Sequence, residues 1–261
     1  MKKIFITATD TDAGKTFVSC AIIAALTQQH NKTVAAYKPV AAGCDLVNGN
    51  LVNEDAKWLT YYANSKQTLN QVNPIAFLEP IAPHIAAKKH NQSINVSDLT
   101  DHFTSVTALN ADITLVEGAG GWRLPLSITQ SSNIKENDGS NRENQLLADF
   151  VKENTLDVIL VVNMKLGCLN HALLTYEAIK SDGLNCIAWV ANCVSPEKMS
   201  NLADNISELE QLFPMPKIAE LSYIEDTIHD DNSTSNRAGK IRSFTDKITI
   251  AASLTDLTIL L

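Results

Sequence analysis

The chain has 261 residues, 45% hydrophobic and 19% charged, with a formal net charge of −8. That length builds one large domain or two small ones, each with a real core, and the acidic balance excludes nucleic acid or an anionic membrane as the main partner. The five cysteines, Cys20, Cys44, Cys168, Cys186 and Cys193, are scattered and include no C-x-x-C pair, so neither a disulfide framework nor a structural zinc site is expected. Reduced thiols in a cytoplasmic protein are the plain reading. Met1-Lys2-Lys3 precedes an apolar run covering only residues 4–6, too short for a secretory signal, and no stretch approaches the roughly 18 apolar residues of a membrane span.

Strand and helix patterns alternate along the chain. Residues 3–7 are apolar and β-branched and read as a buried strand, and 15–29 read as a helix. Residues 33–37 form a second short strand, stopped by Pro39. Helical spacing follows over 53–63. Residues 73–84 carry Pro74, Pro80 and Pro83 and are expected to be irregular. The next helix, 96–109, begins with a Ser97-Asp98 cap. Residues 112–116 form a strand entering Gly118-Ala119-Gly120-Gly121. Residues 144–153 are helical, 157–162 ("DVILVV") are the clearest buried strand, and 170–180 are a helix. A strand over 185–191 and a helix over 196–212 complete the readable part.

This alternation predicts an α/β fold with a mostly parallel sheet and helices on both faces. No linker or internal repeat divides the chain, so residues 1–261 are expected to form a single domain. Residues 130–144 ("QSSNIKENDGSNREN") are polar and rich in Asn and Ser, the composition of a mobile surface loop. Residues 230–240 read the same way.

Five segments carry chemistry. In "TDTDAGKT", residues 9–16, a buried strand precedes Gly14-Lys15-Thr16 and an apolar helix follows. Such a turn binds phosphate through exposed N–H groups at the helix start, with Lys15 reaching the outer phosphates and Thr16 a magnesium ion. The usual first glycine is missing, since position 9 is Thr9. Asp10 and Asp12 lie in the same loop, where carboxylates beside a triphosphate are costly unless they face a metal or a cation; they hint at a positively charged second substrate.

In "AYKPVAAGC", Lys38 sits at the C-terminal end of a strand, where parallel sheets bind ligands. A lysine there could stabilise charge moving in phosphoryl transfer, although taken alone it reads better as a surface lysine at a turn. In "LVEGAGGW", Glu117 ends an apolar strand at the place of a second metal-contacting group. Asp55 is a further metal candidate that spacing does not separate from Glu54. "KLGCLNHALL" opens a helix whose N–H groups can hold an anion or simply be capped. In "WVANCV", the Asn192 amide offers both donor and acceptor to a purine edge.

Together "TDTDAGKT", "YKPVAAG", "NEDA", "VNPIAFLEPIAPH", "VEGAGGWRLPLS", "VVNMKLGCLNHALLT" and "WVANCV" resemble, in order and spacing, the dethiobiotin synthetase family of P-loop enzymes. The resemblance extends to about residue 194. It implies a P-loop NTPase-like fold and an ATP-dependent cyclo-ligase. In the reaction so implied, carbon dioxide adds to an amine of 7,8-diaminononanoate, ATP converts the carbamate to a carbamic-phosphoric anhydride, and the second amine closes a cyclic urea. It implies Lys38 and Lys15 as catalytic lysines, with Thr16, Asp55 and Glu117 holding Mg2+. It implies that Asp12, Ala13, Gly14, Lys15, Thr16 and Phe17 wrap the ATP phosphates and that Glu117, Gly118, Ala119 and Gly120 lie near nucleotide and substrate. The resemblance also implies that Asn192, beside Cys193, reads the adenine, together with Leu221, Ser222 and Tyr223. Thr11 and Ala42 lie beside the diamine. By the same resemblance, Leu169, Asn170, His171 and Ala172 are expected to bind its carboxylate across a homodimer interface that shares the active site.

Three departures from the family pattern stand out. Ala8 replaces a glycine, which is harmless if residue 8 has negative φ and strained otherwise. Ala42 replaces a hydroxyl residue. Leu221-Ser222-Tyr223 replaces an apolar Pro-Trp segment. Three rival readings use the same loop: a switch ATPase that positions partners, an ATP-dependent amide ligase of a related fold, which would lack "KLGCLNHA", and a paralogue that binds nucleotide without turnover. Residues 248–261 contain no Lys or Arg, which counts against the first.

Overall fold

The computed structural model describes residues 1–128, 144–197, 199–224 and 236–261, with the backbone alone over 236–243. β1 (Lys2–Ala8) leads into α1 (Lys15–Gln28) and β2 (Val34–Tyr37). β3 (Val40–Ala41), β4 (Asp45–Val47) and β5 (Asn50–Val52) follow, then α2 (Glu54–Tyr62), α3 (Leu69–Val72), β6 (Ile75–Ala76), α4 (Pro83–Lys89) and α5 (Val96–Thr107). Next come β7 (Ile113–Glu117), β8 (Pro125–Ser127), β9 (Gln145–Leu146), α6 (Leu147–Glu153), β10 (Asp157–Asn163) and α7 (Cys168–Ser181). The chain continues with β11 (Cys186–Asn192), α8 (Leu202–Leu212), β12 (Lys217–Leu221) and α9 (Asn236–Ser253).

Six strands pair in the order β12-β11-β10-β1-β7-β2, every pairing parallel. Side chains alternate across the pleat. Ile4, Ile6 and Ala8 face a core shared with α1, α2 and α9, while Phe5, Val116 and Val158 face one shared with α4, α5 and α6. Leu160, Val162 and Trp189 pack with α7 and α8. Helices therefore cover both faces, as a parallel sheet requires. Helix α1 is buried almost all round, from Val18 to Leu26, which explains its lack of a polar stripe.

The strand order reverses at β1, which lies between β7 and β10. Open α/β sheets bind ligands outside the carboxyl ends of strands at such a point. Those ends carry Thr9, Lys38, Gly118, Met164 and Cys193.

Several expectations need correction. The irregular stretch 73–84 contains β6, paired with β3, and Pro83 opens α4 at a position where its missing N–H costs nothing. Asn95, not Ser97-Asp98, precedes α5; the Val96 N–H is taken by Gln145 Oε1 at 3.0 Å. Residues 145–146 form β9 before α6 begins. The helix expected from 196 starts at Leu202, because Asn201 has a left-handed backbone at φ 54°. The polar loop expected at 130–144 lies, but for Asn144, outside the described residues. So does 230–235, whereas 236–240 belong to α9.

Candidate active site

The loop after β1 turns on two left-handed residues, Asp12 at φ 59° and Gly14 at φ 81°. Ala8 is not among the positive-φ residues; it pairs with Val161 inside the sheet and is buried. Its methyl group therefore introduces no strain. A Cβ on Gly14 would lie 2.2 Å from Asn192 Nδ2, so only glycine fits there.

Three charged side chains converge beside this loop. Lys38 Nζ lies 2.6 Å from Glu117 Oε1 and 2.9 Å from Asp55 Oδ2. The Thr16 hydroxyl donates to the same Glu117 oxygen at 2.8 Å. Lys38 and Glu117 are buried, at 3% and 0% exposure, while the Asp55 side chain is 43% exposed. Asp55 sits in the first turn of α2, which Asn53 fixes by accepting from Ala56 N at 3.1 Å. Glu117 Oε2 is buried with no hydrogen-bond partner among the described residues. A buried carboxylate oxygen without a donor, next to a threonine hydroxyl and a second carboxylate, is the oxygen-rich donor set that suits magnesium.

Burial disfavours the Lys38 ammonium, but Glu117 and Asp55 outweigh it and hold the pKa above the ordinary lysine value. For Asp55 burial acts upward, yet the Lys38 charge and hydrogen bonds from Lys38 and Thr16 bring it below the usual carboxylate value. Lys15 behaves oppositely to Lys38: burial lowers it, and the Glu117 charge offsets this only in part. A buried, weakened ammonium facing a cavity gains most from an anionic ligand.

A cavity of about 950 Å³ opens over these groups. Of the residues singled out in the sequence, Thr11, Asp12, Gly14, Lys15, Thr16, Lys38, Ala42, Asp55, Gly118, Ala119 and Gly120 line it. Glu117 lies beneath it. Ala13 is buried, and the Phe17 ring packs edge-on against Phe244 at 6.3 Å, away from the cavity. Asn192 Nδ2 donates to Ala13 O at 2.8 Å, so this amide props the phosphate loop. Cys193 N donates to Leu221 O at 2.8 Å, and the Leu221 side chain is buried. Ser222 and Tyr223 are exposed, with Lys247 Nζ 5.5 Å from the Tyr223 ring centre. Leu169, Asn170, His171 and Ala172 form the first turn of α7, outside the cavity lining, after Gly167 at φ 92°.

A family model described as an AAA domain matches residues 2–230. The ATP-dependent dethiobiotin synthetase of Alteromonas mediterranea is 45% identical over 228 residues, covering 85% of this chain and 93% of that one. This chain belongs to the dethiobiotin synthetase family. The dethiobiotin synthetase of Pseudoalteromonas translucida is 43% identical over 227 residues, 87% and 92% of the two chains. Among solved structures, the septum site-determining protein MinD of Pyrococcus horikoshii, complexed with Mg-ADP, superposes with a TM-score of 0.53 at 15% identity, covering 96% of this chain and 92% of its own. That likeness extends to the fold alone.

Two polar contacts in this dethiobiotin synthetase family member were not legible as partners. Asp10 pairs with Lys165, beyond the end of β10, and also accepts from Thr9 at 2.8 Å. Although burial opposes it, this holds the Asp10 carboxyl below its usual value. Its counter-cation is therefore internal, and of the two loop carboxylates only Asp12 faces the cavity. Asn73 is the second, tied to the backbone of Lys38 at 2.8 Å.

Proposed function

We propose that this chain forms dethiobiotin from 7,8-diaminononanoate, carbon dioxide and ATP, as an ATP-dependent ligase of biotin biosynthesis. The reading rests on one observation above all: in a chain of this family, the Lys38 ammonium is clamped between Glu117 and Asp55 beside the phosphate loop, with a cavity large enough for nucleotide and diamine above it. Carbon dioxide adds to one amine, which loses a proton and becomes a carbamate. A carbamate oxygen takes the terminal phosphoryl group and ADP leaves. The second amine attacks the anhydride carbon and loses a proton, phosphate departs, and the urea ring closes. Lys15 and Lys38 supply positive charge where negative charge moves. Exposed Asp12 suits an ammonium substrate, with Thr11 and Ala42 beside it. Thr16, Asp55 and Glu117 would hold Mg2+, which neutralises phosphate charge when bound.

Asn192, Cys193 and Leu221 with Ser222 and Tyr223 form the adenine side of the site in this reading. The diamine carboxylate is received by the first turn of α7 in a second copy of the chain. Leu166 at 93% and Leu174 at 58% exposure flank that turn, apolar surface that a twofold partner would cover. The described residues contain no helix long and apolar enough to cross a membrane; a cytoplasmic homodimer is the corresponding proposal, each chain acting as one unit.

The test is phosphate release from ATP with and without diamine and bicarbonate. Release that requires both, with a cyclic urea detected by mass spectrometry, supports the reading. ATP hydrolysis indifferent to the diamine favours a switch ATPase, and nucleotide binding without turnover favours a non-catalytic paralogue.

A further inference from the structure

Strand β2 is the edge of the six-stranded sheet, and Lys38 is the residue just past its end. In the register with β7, the backbone groups of Val34, Ala36 and Lys38 point away from the sheet. No strand among the described residues meets them, yet all are satisfied. Asn64 Oδ1 accepts from Val34 N at 2.7 Å, and Ser65 Oγ donates to Val34 O at 2.8 Å. Gln67 accepts from Ala36 N and donates to Ala36 O, both at 2.9 Å. Lys38 N donates to Val72 O at 2.7 Å, and Asn73 Nδ2 donates to Lys38 O at 2.8 Å. The segment between α2 and β6 thus replaces a missing strand, largely with side-chain amides.

We propose that Asn73 is a positioning residue for Lys38: its amide fixes the carbonyl of the residue whose ammonium reaches between Glu117 and Asp55. The proposal rests on the catalytic role given to Lys38 above. Pro39 follows Lys38, so the next position has no N–H to anchor. Among the described residues the lysine backbone is held by two hydrogen bonds, its N–H donating to Val72 O and its carbonyl accepting from Asn73 Nδ2. Both are themselves fixed. Val72 is fully buried, α3 is closed by a reciprocal Thr68–Gln71 cap, and Pro74 stiffens the residue before it. Asn73 is 7% exposed, and its two amide hydrogens serve Lys38 O and, at 3.2 Å, Ile75 O. Aspartate has the same shape and would set a negative charge against two carbonyls; leucine has no donor.

The experiment is steady-state kinetics and chemical unfolding of Asn73→Leu, Gln67→Leu, Lys38→Ala and the double variant Lys38→Ala/Asn73→Leu. Misplacing a catalytic group by about 1 Å lowers turnover by about a hundredfold. Asn73→Leu is expected to lower kcat by about 10–100-fold with the KM for ATP changed less than about twofold. Gln67→Leu removes equivalent bonds two residues earlier; it should lower the unfolding midpoint and leave kcat intact. In the Lys38→Ala background, Asn73→Leu should lower the residual rate no further. If Asn73→Leu does not fold, Asn73→Ser carries the same comparison. A folded Asn73 variant with full kcat, an equal kcat loss in Gln67→Leu, or an additive loss in the Lys38→Ala background each overturns the proposal. Parental turnover in Lys38→Ala overturns the role of Lys38 itself. An inactive Lys38→Ala beside a fully active Asn73→Leu removes only this inference.

Discussion

Lys38 Nζ and Glu117 Oε1 meet at 2.6 Å with both side chains closed to solvent. Truncating one member of a buried ion pair costs about 3–5 kcal/mol, because the other is left uncompensated, whereas replacing both with apolar groups is often neutral. Lys38→Met should therefore cost about 3–5 kcal/mol of stability. Glu117→Leu should cost less, since Asp55 still faces the lysine. The double variant should regain most of the loss and remain without turnover. Urea unfolding alongside the activity assay measures this; a double variant less stable than Lys38→Met would show that the pair is not an isolated unit.

The lowered pKa of Lys15 predicts a pH effect on nucleotide binding. Burial is the main cause, so in the free protein the ammonium releases its proton below 10.5, the ordinary lysine value. A triphosphate favours the charged form and lifts the pKa. Affinity for ATP should hold below the free-state pKa and fall as pH rises through it, with a proton taken up on binding in that window. The free protein shows the opposite sign, gaining stability across the window as the buried charge is lost. Calorimetry in buffers of different ionisation enthalpy detects the uptake, and Lys15→Arg should abolish it. Equal heats in both buffers at alkaline pH would rule it out.

Gly14→Ala places a methyl group on a residue at φ 81°, 2.2 Å from Asn192 Nδ2. Backbone strain of about 1–3 kcal/mol weakens ATP binding by roughly 10–100-fold. Adding Asn192→Ser should relieve the collision but leave the strain, restoring affinity only in part. A titration in which Gly14→Ala binds ATP normally would mean that the loop has another conformation when occupied.

Subunit mixing tests the shared site. A Lys38→Ala chain and a chain disrupted at Asn170 and His171 should each form a nearly inactive homodimer. After exchange, mixed dimers keep one intact composite site and recover activity, up to about a quarter of the parental value if chains pair at random. An active monomer, or no recovery under demonstrated exchange, ends the idea.

Much of this was legible in the chain itself, for physical reasons that also mark the limits. Strands β1 and β10 and helix α1 are continuous apolar runs because they are buried all round, and such runs are hard to misread. Lys38 follows one buried strand, Glu117 ends another, and Lys15 and Thr16 open the helix after a third, so topology brings them together. Asp55 and Glu54 are adjacent and chemically alike; only the cap at Asn53, which sets the phase of α2, turns Asp55 toward Lys38. The β4–β5 hairpin went unread although Asn48-Gly49, both at positive φ, is its expected turn. The Asp10–Lys165 pair joins residues 155 positions apart, beyond any local pattern. Asn64, Gln67 and Asn73 look like solvated residues of a loop, since an amide that imitates backbone leaves no periodicity.

Those amides also bear on how the protein stays apart from its neighbours. A bare outer strand offers alternating donors and acceptors to any extended segment, and β2 is short, apolar and neutral over "VAAY", a composition prone to adding strands from other chains. With Val34, Ala36 and Lys38 already occupied, the edge has nothing to offer. Loss of Asn64 or Gln67 should therefore appear less in the chemistry than in recovery of soluble protein at high concentration, where the uncovered strand becomes a template for aggregation.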